Sequence, residues 1–170
     1  GRLVAFDRPA FGLTERPLPE TWAGDWNADN PYAPEAQVRQ TVALMDALGI
    51  ERAVLVGHSA GGTLATLVAL RHPERVEALV LEDAAVYRGG SPAWVRPFLS
   101  VPHVRRLGPL ALRAFISRGD GILRSAWYRP ERVTAERVER YQQATQADDW
   151  DRALWEFTLA NRPTDLGSRL

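Results

Sequence analysis

Short apolar runs alternate with helical patterns in the first half of the chain. Residues 3–6, 53–56 and 76–81 are mostly aliphatic, and the second of these runs has no polar alternation. Such runs are typical of strands that are buried on both faces of a sheet. Between them, apolar residues recur at helical spacing: Val38, Val42, Met45 and Leu48, then Leu64, Leu67, Val68 and Leu70. This order predicts three parallel strands with right-handed helical crossovers.

The second half of the chain predicts helices only. No convincing strand pattern occurs in residues 91–170, where Gly and Pro interrupt several helical patterns. We therefore predict an α/β segment at residues 1–88 and an all-helical segment at residues 89–170 that packs over the sheet. Residues 14–33 are rich in Pro, Gly, Asn and Asp, which predicts a long exposed connection.

The composition excludes several function classes. The 170 residues carry 21 basic and 21 acidic side chains, so no basic face for nucleic acid is expected. No apolar run approaches the roughly 20 residues that cross a bilayer. The sequence contains neither cysteine nor lysine, which excludes disulfides, a thiol nucleophile, a P-loop lysine and a Schiff base. The cytoplasm is the default location for such a chain.

The most informative motif lies between the second predicted strand and the helix after it. Residues 57–61 match the pattern G-x-S-x-G, which in this context predicts a nucleophile elbow. A very tight turn would expose the hydroxyl of Ser59, and side chains at Gly57 and Gly61 would collide within it. Gly62 supplies a third small residue at the turn.

The helix that begins at the turn would direct its free N–H groups towards the reacting oxygen. The backbone N–H of Ala60 is thus the natural donor to an oxyanion. A dinucleotide-binding loop is an alternative, since Gly62 fits that fingerprint and Asp83 lies near the spacing of a ribose-binding acid. The fingerprint, however, requires glycine at the position of Ser59.

The chain resembles the α/β-hydrolase family over its whole length. Besides the elbow, residues 7–12 resemble the family's D-x-x-G-x-G loop, with Ala10 in place of the first glycine. Residues 71–81 resemble the family's link into the strand after the nucleophile, and the helical half resembles the cap of many members. The resemblance implies a partial doubly wound parallel sheet and a cofactor-independent, metal-free serine hydrolase. Its substrate would be a small apolar ester or similar acyl compound, cleaved at an ester or C–C bond through an acyl-enzyme on Ser59.

The resemblance also implies parts that this sequence does not show. Family members carry an initial strand with a second oxyanion donor, a strand between those at residues 3–6 and 53–56, and later strands with the catalytic acid and histidine. We expect these strands in the rest of a longer chain, which would leave this portion weakly active. Within this sequence, Asp83 is a weaker candidate for the acid than a residue of those later strands. His103 is a still weaker candidate for the base.

Three further residues are candidates for substrate binding. His58 neighbours the nucleophile, and Trp94 and Trp155 lie in the helical half. Packing roles are the alternative for each, because aromatic residues at helical spacing usually form a core. A non-catalytic ligand-binding module on the same fold remains an alternative function.

Overall fold

The computed structural model divides the chain into two compact units. Gly1–Trp22 and Pro97–Phe157 form one unit, here called the helical unit. Ala23–Arg96 and Thr158–Leu170 form the other, here called the elbow unit. The predicted boundary at residues 88 and 89 lies outside the described residues and stays a prediction. The structure describes the following residues, with the side chains of Arg96 and Ile122 excepted: 1–86, 96–99, 101–116, 120–161, 166 and 169.

The elbow unit contains two parallel strands and three helices in its described part. In chain order these elements are α1 (Trp26–Asp29), α2 (Pro34–Ala47), β1 (Ala53–His58), α3 (Ala60–Arg71) and β2 (Val76–Glu82). β1 and β2 pair in parallel, with Val54 beside Ala78, Val56 beside Val80 and His58 beside Glu82. The α/β class and the parallel strands are therefore confirmed.

Local sequence signals explain where these helices begin and end. Pro34 opens α2, where its missing N–H costs no hydrogen bond. Gly49, at φ +64°, follows the end of that helix. A 3-10 turn at Pro73–Arg75 stops α3 and leads into β2. The core of the unit lies around α3 and consists of Val38, Leu64, Leu67, Val68, Val86 and Leu166.

The expectation that residues 53–56 are buried on both sheet faces is wrong. Along β1, half-buried Leu55 alternates with Val54 and Val56, which are 49% and 68% exposed. On β2, Val80 is 50% exposed. α3 packs against both strands but covers one face only, so side chains that point to the opposite face stay exposed.

The strand predicted at residues 3–6 does not form. This segment has no regular secondary structure, and Leu3, Val4 and Phe6 are 92%, 38% and 46% exposed. A strand requires a neighbour for its backbone hydrogen bonds, and β1 and β2 pair only with each other in the part of the chain that is described. The described sheet thus has two strands instead of three.

The helices expected in the second half are observed. They are α4 (Arg96–Leu99), α5 (Pro102–Ile116), α6 (Gly121–Ala126), α7 (Ala135–Gln143) and α8 (Trp150–Ala160). Across the described stretches from residue 96 to 161, no strand occurs. Nor does any helix among the described residues have the length and apolarity to span a bilayer.

Two arginine–carboxylate pairs join α5 to α8 in antiparallel order. The guanidinium of Arg105 donates to both carboxylate oxygens of Glu156, at 3.0 and 2.7 Å. Arg113 Nε donates to Asp151 Oδ2 at 2.9 Å. Both carboxylate side chains are buried, whereas both arginines are partly exposed. These pairs fix the register of the two helices, since charge-assisted hydrogen bonds are the stronger class.

Aromatic packing attaches the loop at residues 7–12 to the end of α8. The rings of Phe11 and Phe157 meet edge to face with centroids 5.0 Å apart. The guanidinium of Arg8 lies 5.0 Å from the first ring centroid and 5.7 Å from the second. Burial lowers the pKa of Arg8 below its ordinary value, because desolvation disfavours the charged form. The loop is therefore an integral part of the helical unit.

Candidate active site

Ser59 occupies the single position between the end of β1 and the start of α3. Its backbone has φ 51° and ψ −121°, a region that residues with a side chain rarely adopt. The residue is exposed. Such a conformation costs on the order of 1–3 kcal/mol and persists only where the surroundings impose it. The turn predicted from the pentapeptide is thus present, with its serine at the strained position.

Backbone hydrogen bonds hold Ser59 from both sides. Its amide donates to the carbonyl oxygen of Glu82 at 3.0 Å, which continues the pairing of β1 with β2. Its own carbonyl oxygen accepts from the amides of Gly62, Thr63 and Ala85 at 3.0, 3.2 and 3.3 Å. The strained residue is therefore anchored to the first turn of α3 and to the segment that follows β2.

Two glycines make the turn sterically possible. A Cβ on Gly57 would lie 2.6 Å from the carbonyl carbon and oxygen of Gly61. A Cβ on Gly62 would lie 2.3 Å from the methyl group of Ala84. The collision expected at Gly61 is wrong for the described residues, because outside its chain neighbours and its own helix backbone none of their atoms lies within 4 Å of a Cβ placed there. Glycine is therefore required at position 57, where the backbone of Gly61 is the obstacle, and at position 62, where Ala84 is the obstacle.

The N-terminus of α3 keeps the amide of Ala60 available. The first four amides of a helix have no acceptor within it. Ser59 accepts from the amides of Gly62 and Thr63, and among the described residues no acceptor is found for those of Ala60 and Gly61. The positive end of the helix lies at the same point. The role of the Ala60 amide as an oxyanion donor stays a prediction.

Asp83 follows β2 directly, as Ser59 follows β1. Like Ser59, it has a positive φ, of 46°, and it is exposed. Parallel strands place their carboxyl ends at one edge of the sheet, so these two residues share that edge. His58 is exposed on β1 beside Glu82. The roles suggested for Asp83 and His58 stay predictions.

The other histidines are placed differently. His72 follows the last residue of α3, at the opposite end of the helix from Ser59; twelve residues rising 1.5 Å each make this helix about 18 Å long. His103 is exposed on α5, in the helical unit. Neither is assigned as the base. No group of three or more His, Cys, Asp or Glu side chains suited to a metal ion occurs in the described part.

Of the two tryptophans predicted to bind substrate, one lies in the described part of the chain. Trp155 is half-buried on α8, and its indole ring packs on Gly108 of α5. Its substrate-binding role stays a prediction, and a packing role has a contact to support it. Trp94 lies outside the described residues.

The loop at residues 7–12 retains a tight turn despite its alanine. Ala10 has φ 78° and is buried, so it adopts the left-handed backbone that glycine usually takes. Gly12 has φ +53°, and a Cβ there would strike the Asp7 carboxylate. That carboxylate accepts from the amide of Leu13 at 3.3 Å. The Asp7 side chain thus stabilises this turn.

Sequence reasoning missed the contribution of the segment after β2. Ala84 and Ala85 contact the elbow through the Gly62 and Ser59 backbones, and the hydroxyl of Thr63 donates to the Ala85 carbonyl at 3.0 Å. No sequence pattern around Ala84 and Ala85 predicts these contacts. Thr63 also gives no signal, because leucine and valine set the periodicity of its helix.

Comparison with known proteins agrees with this geometry. A family model described as alpha/beta hydrolase fold matches residues 2–110. The 2-hydroxymuconate semialdehyde hydrolase of Pseudomonas putida is 42% identical over 80 residues, which cover 47% of this chain and 25% of that protein. The putative carbamate hydrolase RutD of a Caulobacter species is 35% identical over 105 residues, 62% of this chain and 31% of that protein.

Solved structures give the same result. Cfl2 of Burkholderia cenocepacia superposes with a TM-score of 0.68 at 24% identity, covering 91% of this chain and 52% of that one. A meta-cleavage product hydrolase of Pseudomonas fluorescens gives a TM-score of 0.53 at 26% identity, with 91% and 53% covered. The chain thus spans about half the length of these solved chains. With the elbow and the match over residues 2–110 together, the chain belongs to the α/β hydrolase fold family.

Proposed function

We propose that Ser59 is the nucleophile of a serine hydrolase that acts on an ester or a comparable acyl or C–C bond. The observation that carries the proposal is the strained backbone of Ser59 at the junction of β1 and α3. Family membership and relatives named as hydrolases support it. The dinucleotide-binding alternative has no such support, because a serine stands where its fingerprint requires glycine.

The positions of Ser59 and Ala60 at the turn support the following proposed reaction. The Ser59 oxygen attacks the substrate carbonyl carbon and gives its proton to a general base. The tetrahedral oxyanion accepts a hydrogen bond from the Ala60 N–H, which α3 holds in place before the reaction. The leaving group departs with a proton, and water then hydrolyses the acyl-enzyme. The proposed substrate is a small apolar ester or a similar acyl compound.

The general base is not assigned to a described histidine. Since the chain spans about half the length of its solved relatives, we propose that the acid and the histidine belong to the part that those proteins have in addition. Loss of the base costs roughly a millionfold in a serine-triad enzyme. This chain alone is therefore expected to turn over an ester substrate very slowly.

A fluorophosphonate probe tests the nucleophile. We expect the complete protein to be labelled at Ser59, with labelling abolished by Ser59→Ala. Ser125→Ala, which changes an exposed serine on α6, is the matched control and should be labelled like the wild type. Peptide mapping by mass spectrometry identifies the modified residue.

The non-catalytic binding module predicts a different outcome of the same experiment. It is favoured by the absence of an assigned base among the described histidines. In that case the folded wild type would show no covalent labelling at Ser59 but would still bind small esters in a calorimetric titration. Labelling of the wild type and Ser59→Ala to the same extent would contradict the proposed hydrolase.

A further inference from the structure

Three hydrogen bonds form a closed ring around the elbow. The Thr63 hydroxyl donates to the carbonyl oxygen of Ala85 at 3.0 Å. The Ala85 amide donates to the carbonyl oxygen of Ser59 at 3.3 Å. The Thr63 amide donates to that same oxygen at 3.2 Å. The ring therefore joins the nucleophile position, the first turn of α3 and the segment after β2.

The side chain of Thr63 is the only non-backbone member of this ring. Ala85 lies beyond the end of β2 and has no regular secondary structure of its own. Its carbonyl is held by the Thr63 hydroxyl and its amide by Ser59. Without that hydroxyl, Ala85 would keep only its amide hydrogen bond to the Ser59 carbonyl. That bond would weaken, because the Ala85 carbonyl would no longer be fixed.

We infer that Thr63 is a positioning residue for Ser59, acting through Ala85. This inference rests on the proposed nucleophilic role of Ser59. A residue at φ 51° and ψ −121° stays there only while neighbouring contacts oppose its relaxation. A small displacement of the nucleophile is costly to the reaction, because attack depends on geometry. Thr63 thus contributes to reactivity without touching the substrate.

Thr66 provides a matched comparison on the same helix. Its hydroxyl donates to the carbonyl oxygen of Gly62 at 2.9 Å, four residues earlier in the chain. Thr66 is fully buried. Thr63→Val and Thr66→Val each replace a hydroxyl by a methyl group without changing the branching at Cβ. Only the first removes a hydrogen bond to the segment after β2.

The experiment measures fluorophosphonate labelling of the complete protein at several probe concentrations, which separates the maximal rate from the half-saturating concentration. We expect Thr63→Val to lower the maximal rate about tenfold, as expected for one lost hydrogen bond, with the half-saturating concentration unchanged. Thr63→Ser should recover the rate to within about twofold. Thr66→Val should label like the wild type once rates are normalised to the folded fraction.

Hydrogen exchange at the Ala85 amide gives a readout that does not depend on labelling. We expect Thr63→Val to accelerate exchange there, and Thr66→Val to leave it unchanged. A wild type that is never labelled would overturn the proposed function, while the exchange result would still test the ring. Wild-type rates in Thr63→Val, or equal losses in both valine variants, would overturn the inference about Thr63.

Discussion

The backbone of Gly61 occupies the space that a side chain on Gly57 would need. A Cβ on Gly57 would lie 2.6 Å from the Gly61 carbonyl carbon, whereas a Cβ on Gly61 would have open space around it as far as the described residues extend. The two glycines of the G-x-S-x-G pattern therefore differ in their need for glycine. Gly57 must lack a side chain, whereas Gly61 blocks that side chain with its backbone, which any residue at position 61 would share.

This asymmetry predicts opposite effects of two alanine substitutions. Gly57→Ala should destabilise the protein by about 1–3 kcal/mol, because backbone atoms cannot move aside as a side chain can. Gly61→Ala should be neutral or stabilise by up to about 1 kcal/mol, since alanine is the better helix former. Urea unfolding of both variants measures the difference. Equal losses would show that the open space beside Gly61 is not real.

The strained backbone of Ser59 predicts that removing its side chain stabilises the protein. Ser59→Gly should raise the free energy of unfolding by about 1 kcal/mol, because glycine adopts positive φ without a steric penalty. Ser59→Ala retains the Cβ and should change it by less than about 0.5 kcal/mol. Urea unfolding distinguishes the two. If Ser59→Gly were less stable than the wild type, the backbone of Ser59 would not be under strain.

The elbow was predictable because its chemistry is local. A strand, a helix and Ser59 between small residues lie within one short stretch, so the pattern predicts the turn directly. The sequence could not predict which glycines are indispensable, because Ala84, which would collide with a side chain at position 62, lies on a different segment. The part played by Ala85 depends equally on the pairing of β1 with β2, which no local pattern specifies.

Strand formation and burial depend on partners that periodicity does not reveal. Residues 3–6 have the composition of a strand, yet no described strand pairs with them. Val54 and Val56 are apolar but exposed, because α3 covers the other face of β1. An apolar run indicates where a strand can form; the neighbouring segments decide whether it forms and which side is buried.

The carboxylate of Glu156 should be important to the stability of the helical unit. Its side chain is 8% exposed and accepts two hydrogen bonds from Arg105. Glu156→Gln removes the charge and one of the two acceptor oxygens, so we expect a loss of about 2 kcal/mol. The measurement is urea unfolding followed by circular dichroism.

Glu136→Gln is the control for this charge neutralisation. Glu136 pairs with Arg140 one turn later on α7, and both side chains are about 70% exposed. An exposed pair of this kind contributes less than about 0.5 kcal/mol. A loss as large as that for Glu156→Gln would mean that burial does not set the strength of these pairs.

Gly108 and Trp155 should be energetically coupled across the contact between α5 and α8. A Cβ on Gly108 would lie 2.3 Å from an indole carbon of Trp155. Gly108→Ala should therefore destabilise by about 1–3 kcal/mol, despite the helix preference of alanine. In a Trp155→Phe background the smaller ring leaves room, and the same substitution should cost about 1 kcal/mol less. Gly121→Ala, where a Cβ meets none of the described atoms within 4 Å, should not be destabilising in either background. Losses for Gly108→Ala and Trp155→Phe that simply add would refute a direct contact between the two residues.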